Sequence, residues 1–381
     1  MRRSVAPCPL PPAHGGHRTV AAVPHDDLSR YRRQMVLANV GEAGQRRLLA
    51  SHAVVVGVGA LGCVSADLLA RAGVGRLTLI DRDLVDRTNL QRQTLFTEDD
   101  ARDGVPKAEA AAARLRSVNS EIRIEPVVAD VTPANVESLL GGVDLAARPE
   151  RTIVLDGTDN FESRYLINDA CVELGLPLAY AGVVGTRFMQ ATFVPGSGCL
   201  RCLFEDPPAA GHGQTCDVVG VLGPAVAIAA AAQAADAIGL LAQTGTLERG
   251  RLLEGSVWPL RARVLDVSDA MARPDCPCCG LGRRDFLRGE QAEGAAVLCG
   301  QDVVQVSPRR AASIDLTALA ARLASEGEVR AGRFFVRVSP RPGGPQQPTL
   351  DITIFADGRA LVRGTSRVEV ARAVYARLLG D

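Results

Sequence analysis

The chain has 381 residues, 47% of them apolar, and its 43 basic side chains balance 43 acidic ones. This excludes wholesale disorder and a chain-wide basic surface for nucleic acid, and the length suits one large domain with a small one. The basic groups are 42 arginines and a single lysine, Lys107. The lysine is therefore expected where a compact ammonium cannot give way to a planar guanidinium.

Residues 1–26 are rich in Pro, Gly and His and hold no apolar leader run, so a disordered tail on a cytoplasmic protein is expected. From Asp27 to Leu49 the pattern predicts short helices carrying an arginine cluster. A strand over Ala53–Gly57, a helix over Cys63–Ala72 and a strand over Arg76–Ile80 make one βαβ unit. The alternation continues with a helix at Lys107–Val118, a strand at Ile122–Val128 and a short helix at Pro133–Leu140. A strand at Thr152–Leu155, a helix at Arg164–Leu174 and a strand at Leu178–Ala181 follow. This order predicts an α/β, Rossmann-like fold with a mainly parallel sheet.

After Gly182 the rhythm changes. Arg187–Val194 reads as an antiparallel addition and Pro207–Gly213 as a loop. Pro224–Leu241 is almost wholly apolar, but Gln233 and Asp236 interrupt it, and a membrane span needs about 20 predominantly apolar residues. A buried core or dimer-interface helix is expected, and no membrane partner. Gly280–Gly294 has a linker's composition. From Val303 the order strand, helix (Leu316–Ala324), strand, strand, helix (Val368–Leu379) predicts a small α+β module, with Pro340–Pro348 as a hairpin loop. The expected division is a tail at 1–26, a nucleotide-binding domain at 27–282 and the module at 283–381.

Gly57, Gly59 and Gly62 form a GxGxxG turn between a strand and a helix, and Asp81 ends the next strand. Such glycines let phosphate approach backbone N–H groups, and the acid accepts from ribose hydroxyls. Asp83, Asn89, Arg92 and Lys107 then form a set suited to clamping a polyphosphate. Asp156 to Asn160 (DGTDN) closes the fourth strand, where a carboxylate is placed to hold Mg²⁺. An NAD-dependent oxidoreductase shares the glycine turn. Its acid–base chemistry is poorly supplied here, because the five histidines are His14, His17, His25, His52 and His212.

Cys199 and Cys202, with Cys276 and Cys279, are two CxxC pairs, a donor set for structural Zn²⁺ with no place left for water. Cys278 reads as a bystander. Cys216 is either a nucleophile or a small buried residue. Cys8, Cys63, Cys171 and Cys299 read as tail or packing residues.

With these motifs in this order, residues 27–281 resemble the MoeB/ThiF family of ubiquitin-activating-enzyme-like adenylyltransferases. The resemblance is carried by RYRRQ at Arg30–Gln34, GVGALG at Gly57–Gly62, DRDLVDRTNLQRQ at Asp81–Gln93, PK at Pro106–Lys107 and DGTDN at Asp156–Asn160. It implies a homodimer that uses ATP and Mg²⁺ to adenylylate the C-terminal Gly-Gly carboxylate of a ubiquitin-fold sulfur carrier protein. On that resemblance Gly59 faces the phosphates, Asp81 holds the ribose, and Asn89, Arg92 and Lys107 grip the triphosphate. Asp159 engages Mg²⁺, Asn160 lies at the ATP site, and Arg33 reaches the neighbouring subunit's nucleotide. Cys216 matches the family's cysteine that takes the carrier covalently. An activator of a non-carrier carboxylate, such as a peptide, is the competing adenylylation reading.

Overall fold

The computed structural model describes residues 27–145, 151–207, 219–245, 247–289, 303–306, 314–340 and 350–379. Eight strands form the larger sheet: β1 (His52–Val56), β2 (Arg76–Ile80), β3 (Arg123–Val127), β4 (Thr152–Asp156), β5 (Leu178–Val184), β6 (Arg187–Phe193), β7 (Arg251–Val257) and β8 (Leu260–Asp266). Their order is β3-β2-β1-β4-β5-β6-β7-β8. The first five are parallel, and β6, β7 and β8 join antiparallel. The expected Rossmann-like sheet with antiparallel additions is thus present.

β1 (HAVVV) and β4 (TIVLD) are apolar on both faces, as a parallel sheet covered on both sides requires. Ala53 and Val55 pack with the helices Ala60–Ala72 and Lys107–Val118 on one face. Val54 and Val56 pack with Phe161–Leu174 on the other. β1 runs in register with both neighbours, so Val56 lies beside Ile80 and Asp156. The next residues, Gly57, Asp81 and Gly157, therefore meet at one carboxyl edge. Chain direction diverges between β1 and β4, which is where doubly wound sheets open a ligand crevice.

The apolar helix runs from Gly223 to Ala242, long and apolar enough to cross a membrane by length and composition alone. Its two polar interruptions are bonded into the protein. The Gln233 amide nitrogen donates to the carbonyls of Asp156 (2.9 Å) and Ala179 (2.8 Å), and its oxygen accepts from the Ser65 hydroxyl at 2.7 Å. Asp236 accepts from Gln190 at 2.9 Å and Thr192 at 2.8 Å and pairs with Arg251. The helix is a core element bolted across the sheet.

Three features depart from the sequence expectations. The β7–β8 hairpin carries no strand signal because most of β8 is exposed, which removes the alternation that marks a half-buried strand. Residues up to Gly289 are no linker: the Phe286 ring lies 5.0 Å from Tyr165, its amide donates to Asp169 at 3.1 Å, and Asp285 pairs with the buried Arg201 at 3.2 Å. Between the C-terminal helices Leu316–Leu323 and Val368–Leu379 there are four strands rather than two.

Those strands are β10 (Gly327–Ala331), β11 (Phe335–Pro340), β12 (Asp351–Phe355) and β13 (Ala360–Arg363). With β9 (Val303–Val306) they form an antiparallel sheet in the order β10-β11-β12-β13-β9. β10 is short, charged and largely exposed, and β13 has four residues, so neither gives a clear period. One face of this sheet (Val304, Val336, Val338, Ile352, Ile354, Val362) packs on its own two helices. The other face (Val303, Phe335, Phe355, Leu361) meets Leu84, just beyond β2.

Candidate nucleotide site and cysteine cluster

The glycine turn is interlocked with the DGTDN turn. Gly57 has φ +85°, and a Cβ on it would lie 2.7 Å from the Gly157 carbonyl; Cβ atoms on Gly62 or Gly157 would press closer still on the Gly57 carbonyl oxygen. Glycine is thus required at all three positions by backbone crossing, and Gly157 is the one the motif did not mark. Gly59 differs: a Cβ there would have only Gly157 O at 3.8 Å and Gln93 Nε2 at 3.9 Å nearby, so its surroundings are open.

Below the turn runs a chain of charge. The Val58 amide donates to Asp81 Oδ2 at 2.7 Å and the Asp83 amide to Asp81 Oδ1 at 2.8 Å. Lys107 Nζ reaches Asp83 Oδ2 at 2.9 Å. Burial pushes the Asp81 carboxyl above the ordinary carboxylate range, with Lys107 pulling the other way. Burial also opposes ionisation of Asp83, but the Lys107 ammonium and the Arg82 guanidinium outweigh it and hold that carboxyl low. Burial disfavours the Lys107 ammonium, yet Asp83, Asp81 and Asp159 together keep it charged. A buried, pre-charged ammonium beside open glycine amides is suited to an anion.

The turn after β2 shapes itself by local bonds. Asn89 Oδ1 accepts from the Asp86 amide at 3.0 Å while Asp86 caps the turn, and Arg92 Nη1 donates to the Thr88 carbonyl at 3.0 Å. Gln93 is buried and its Oε1 has no hydrogen-bond partner. That orphaned oxygen, on a side chain whose amide nitrogen reaches the surroundings of Gly59, makes Gln93 a candidate ligand-facing residue that motif reading passed over; its only sequence signal is its place in the QRQ run after Asn89.

In DGTDN the two carboxylates have separate fates. Asp156 is buried, accepting from Thr158 N (2.9 Å) and pairing with Arg164 at 2.8 Å, while that guanidinium stands 5.0 Å over the Tyr180 ring. Asp159 is exposed and, among the described residues, takes one 3.5 Å contact from Asn160, so its oxygens are of the type a divalent cation would use. Asn160 Oδ1 caps the helix Phe161–Leu174 by accepting from Ser163 N at 2.8 Å. Arg33 stands exposed on the short helix Arg32–Met35, with no ion-pair partner among the described residues. Cys216 lies outside the described residues, as do Cys8, Cys299, the tail at 1–26 and most of the Pro207–Gly213 and Pro340–Pro348 loops.

The sulfurs of Cys199, Cys202, Cys276 and Cys279 all lie within 4.8 Å of one another. Cys199 and Cys276 are 3.7 Å apart and Cys202 and Cys279 3.4 Å apart. Four sulfurs about 2.3 Å from a central zinc form a tetrahedron with edges of roughly 3.8 Å, so the set fits the ion. Burial pushes the free Cys279 thiol up to about 12, and a cation is what would hold it as a thiolate. Cys278 stays outside the set: its sulfur accepts from Asn168 at 3.4 Å.

The ThiF family profile matches residues 31–278. The chain is 39% identical over 354 residues to a sulfur carrier protein ThiS adenylyltransferase of Bacillus subtilis, covering 92% of this chain and 99% of that protein. It is 40% identical over 260 residues to a SAMP-activating enzyme E1 of Haloferax volcanii, covering 68% and 92%. Among solved structures it is similar to Escherichia coli MccB with ATP, at TM-score 0.54 and 26% identity over 66% of this chain and 74% of that one. With the glycine cradle and the Asp81–Asp83–Lys107 chain in place, the protein belongs to the ThiF family and is a nucleotidyltransferase.

Proposed function

We propose that this protein adenylylates the C-terminal glycine carboxylate of a ubiquitin-fold sulfur carrier protein, using ATP and releasing pyrophosphate. The observation that carries the reading is the linked Asp81, Asp83 and Lys107 under an open glycine turn at the β1–β4 crevice. The names of relatives that align over most of the chain support the carrier as substrate. The alignment with the Bacillus protein extends through the five-stranded unit, which favours a ThiS-type carrier.

In this reading the large α/β unit does the chemistry and the five-stranded unit is an added module. The amides of the Gly57–Gly62 turn receive the phosphates, Asp81 accepts from the ribose, and Lys107 with Arg92 neutralises the triphosphate. Asn89 and Asn160 shape the turns that flank it. The carrier's carboxylate is already an anionic nucleophile, so the site needs no general base. Its oxygen bonds to the α-phosphorus as the bond to the β-phosphate oxygen breaks, and the electron pair leaves with pyrophosphate. Mg²⁺, held by Asp159, would offset charge on the phosphates. Zn²⁺ in the four-cysteine cluster would staple the chain and take no part in the reaction.

The acting form in this proposal is a cytoplasmic homodimer, in which Arg33 serves the partner's nucleotide and Cys216 is available to receive the activated carrier. A hydride-transfer reading finds little support. His52 sits at the amino end of β1, away from the cradle, and burial pushes it down to about 4, leaving it neutral. The test is carrier-dependent exchange of labelled pyrophosphate into ATP, run beside a peptide ending in Asn or Gly. Exchange with the carrier alone supports the reading, whereas exchange with the peptide alone replaces it by peptide activation.

A further inference from the structure

The five-stranded sheet lays its second face against the nucleotide loop. Residues alternate along its strands, so the face opposite its own helices carries Val303, Gln305, Phe335, Phe355, Leu361 and Arg363. Leu84, next to Asp83, packs into the apolar part of that face. Gln305 donates to Asp130 Oδ2 at 2.6 Å, and Arg82 holds the other Asp130 oxygen at 2.9 Å. The unit is therefore fastened on both sides of Asp83.

Arg359 occupies the centre of this contact. It follows a tight turn in which Gly358 has φ +85° and the Asp357 side chain accepts from the Arg359 amide at 3.1 Å. The residue is 4% exposed, and its guanidinium lies 4.7 Å over the Phe355 ring and donates through Nε to Asp357 at 2.7 Å. Nη1 approaches the carbonyl of Arg82, the residue before Asp83, at 3.4 Å. Nη2 is buried with no hydrogen-bond partner. A buried guanidinium nitrogen left empty is costly unless some state of the protein uses it.

Such a state follows from the nucleotide reading, on which this inference rests. Lys107 is bound to Asp83 in the free protein, and a triphosphate drawing that ammonium away leaves the Asp83 carboxylate with Arg82, 3.8 Å from it, as its remaining ion-pair partner. Arg359, held against the Arg82 carbonyl next to Asp83, adds a smaller pull to that of Lys107 and Arg82 in keeping the Asp83 carboxyl low. We propose that the five-stranded unit braces the nucleotide site, with Arg359 as the positioning residue that joins Arg82 in neutralising Asp83 once Lys107 turns to the triphosphate. A change in how the unit seats on the loop then changes ATP affinity, so a partner docked on the unit has a route to the reaction.

The test uses the full-length protein with Arg359→Gln, Arg359→Lys, Asp83→Asn and the Arg359→Gln/Asp83→Asn double variant. ATP·Mg²⁺ dissociation constants are measured by calorimetry, and KM values for ATP and for the carrier by pyrophosphate exchange. Arg359→Gln is expected to weaken ATP binding and raise its KM about tenfold with carrier KM unchanged, and Arg359→Lys to restore most of the loss. In the Asp83→Asn background the same substitution is expected to cost less than about twofold, because the charge it serves is gone. An equal loss in both backgrounds marks Arg359 as purely structural and overturns the brace. Unchanged ATP affinity in Arg359→Gln also overturns the brace and leaves the nucleotide reading standing. Absence of ATP binding by the unaltered protein overturns both.

Discussion

Lys107 and Asp83 hold each other twice: the Lys107 amide donates to the Asp83 carbonyl at 2.9 Å, and Nζ reaches Oδ2 at 2.9 Å. The double contact fixes the start of the helix Lys107–Val118 against the turn after β2, and the lysine side chain is only 9% exposed. In a chain that otherwise uses arginine throughout, the slot selects a point charge. Lys107→Arg is expected to lower pyrophosphate exchange about 10²–10³-fold, the range seen when a transition-state charge partner is lost. Exchange near the unaltered rate in a folded Lys107→Arg protein would show that any cation serves there.

The two carboxylates of the DGTDN turn separate stability from chemistry. Asp156→Asn leaves Arg164, with 12% side-chain exposure, without its counter-charge and is expected to cost about 3–5 kcal/mol of stability. Asp159→Asn, at an exposed site, is expected to stay within about 0.5 kcal/mol of the unaltered protein. Its exchange activity should nonetheless fall and its requirement for Mg²⁺ rise. Urea melts and a magnesium titration of both variants check the division, and a stable, fully active Asp159→Asn would remove that residue from the site.

The cysteine cluster makes its own prediction. The purified protein should carry a single tightly held zinc ion, and chelation should lower the melting temperature without a separate loss of chemistry at temperatures where the apo-protein is still folded. Cys279→Ser is expected to lose the metal and Cys278→Ser to keep it, because only Cys279 belongs to the set within 4.8 Å. Metal analysis of the two variants distinguishes them, and zinc loss in both would redraw the ligand set.

Stability should also respond to pH through His52. Its Nε2 lies 2.9 Å from Thr78 Oγ1, and burial, with Arg76 nearby, brings its pKa down to about 4. The unfolded chain's imidazole titrates near about 6.5. Between those values the unfolded state binds a proton that the folded state refuses, so this share of stability is whole above about pH 6.5 and is lost as pH falls toward about 4. The share is at most about 3 kcal/mol, and His52→Gln should flatten it. Parallel stability curves for the two proteins across that range would contradict the assignment.

Much of this site was legible in the sequence because its geometry follows from strand ends. Once β1, β2 and β4 are recognised as parallel and in register, Gly57, Asp81 and the DGTDN turn must share an edge. The cysteine pairs were legible for a similar reason, since CxxC spacing brings two sulfurs together within a single turn. Gly157 and Gln93 were not, because their importance lies in a backbone crossing and an orphaned oxygen that no spacing encodes. β8 and β10 escaped notice because exposed edge strands need no alternating pattern. The contact of Arg359 with the nucleotide loop joins residues 277 positions apart and is visible only in three dimensions.

The most direct test of the central claim is the intact mass of a ThiS-type carrier after incubation with this protein, ATP and Mg²⁺. The account predicts a carrier heavier by one adenylyl group, dependent on its terminal glycine and formed far more slowly with Lys107→Arg. A carrier of unchanged mass, in a reaction where the protein binds ATP and pyrophosphatase is present to draw the equilibrium forward, would contradict it.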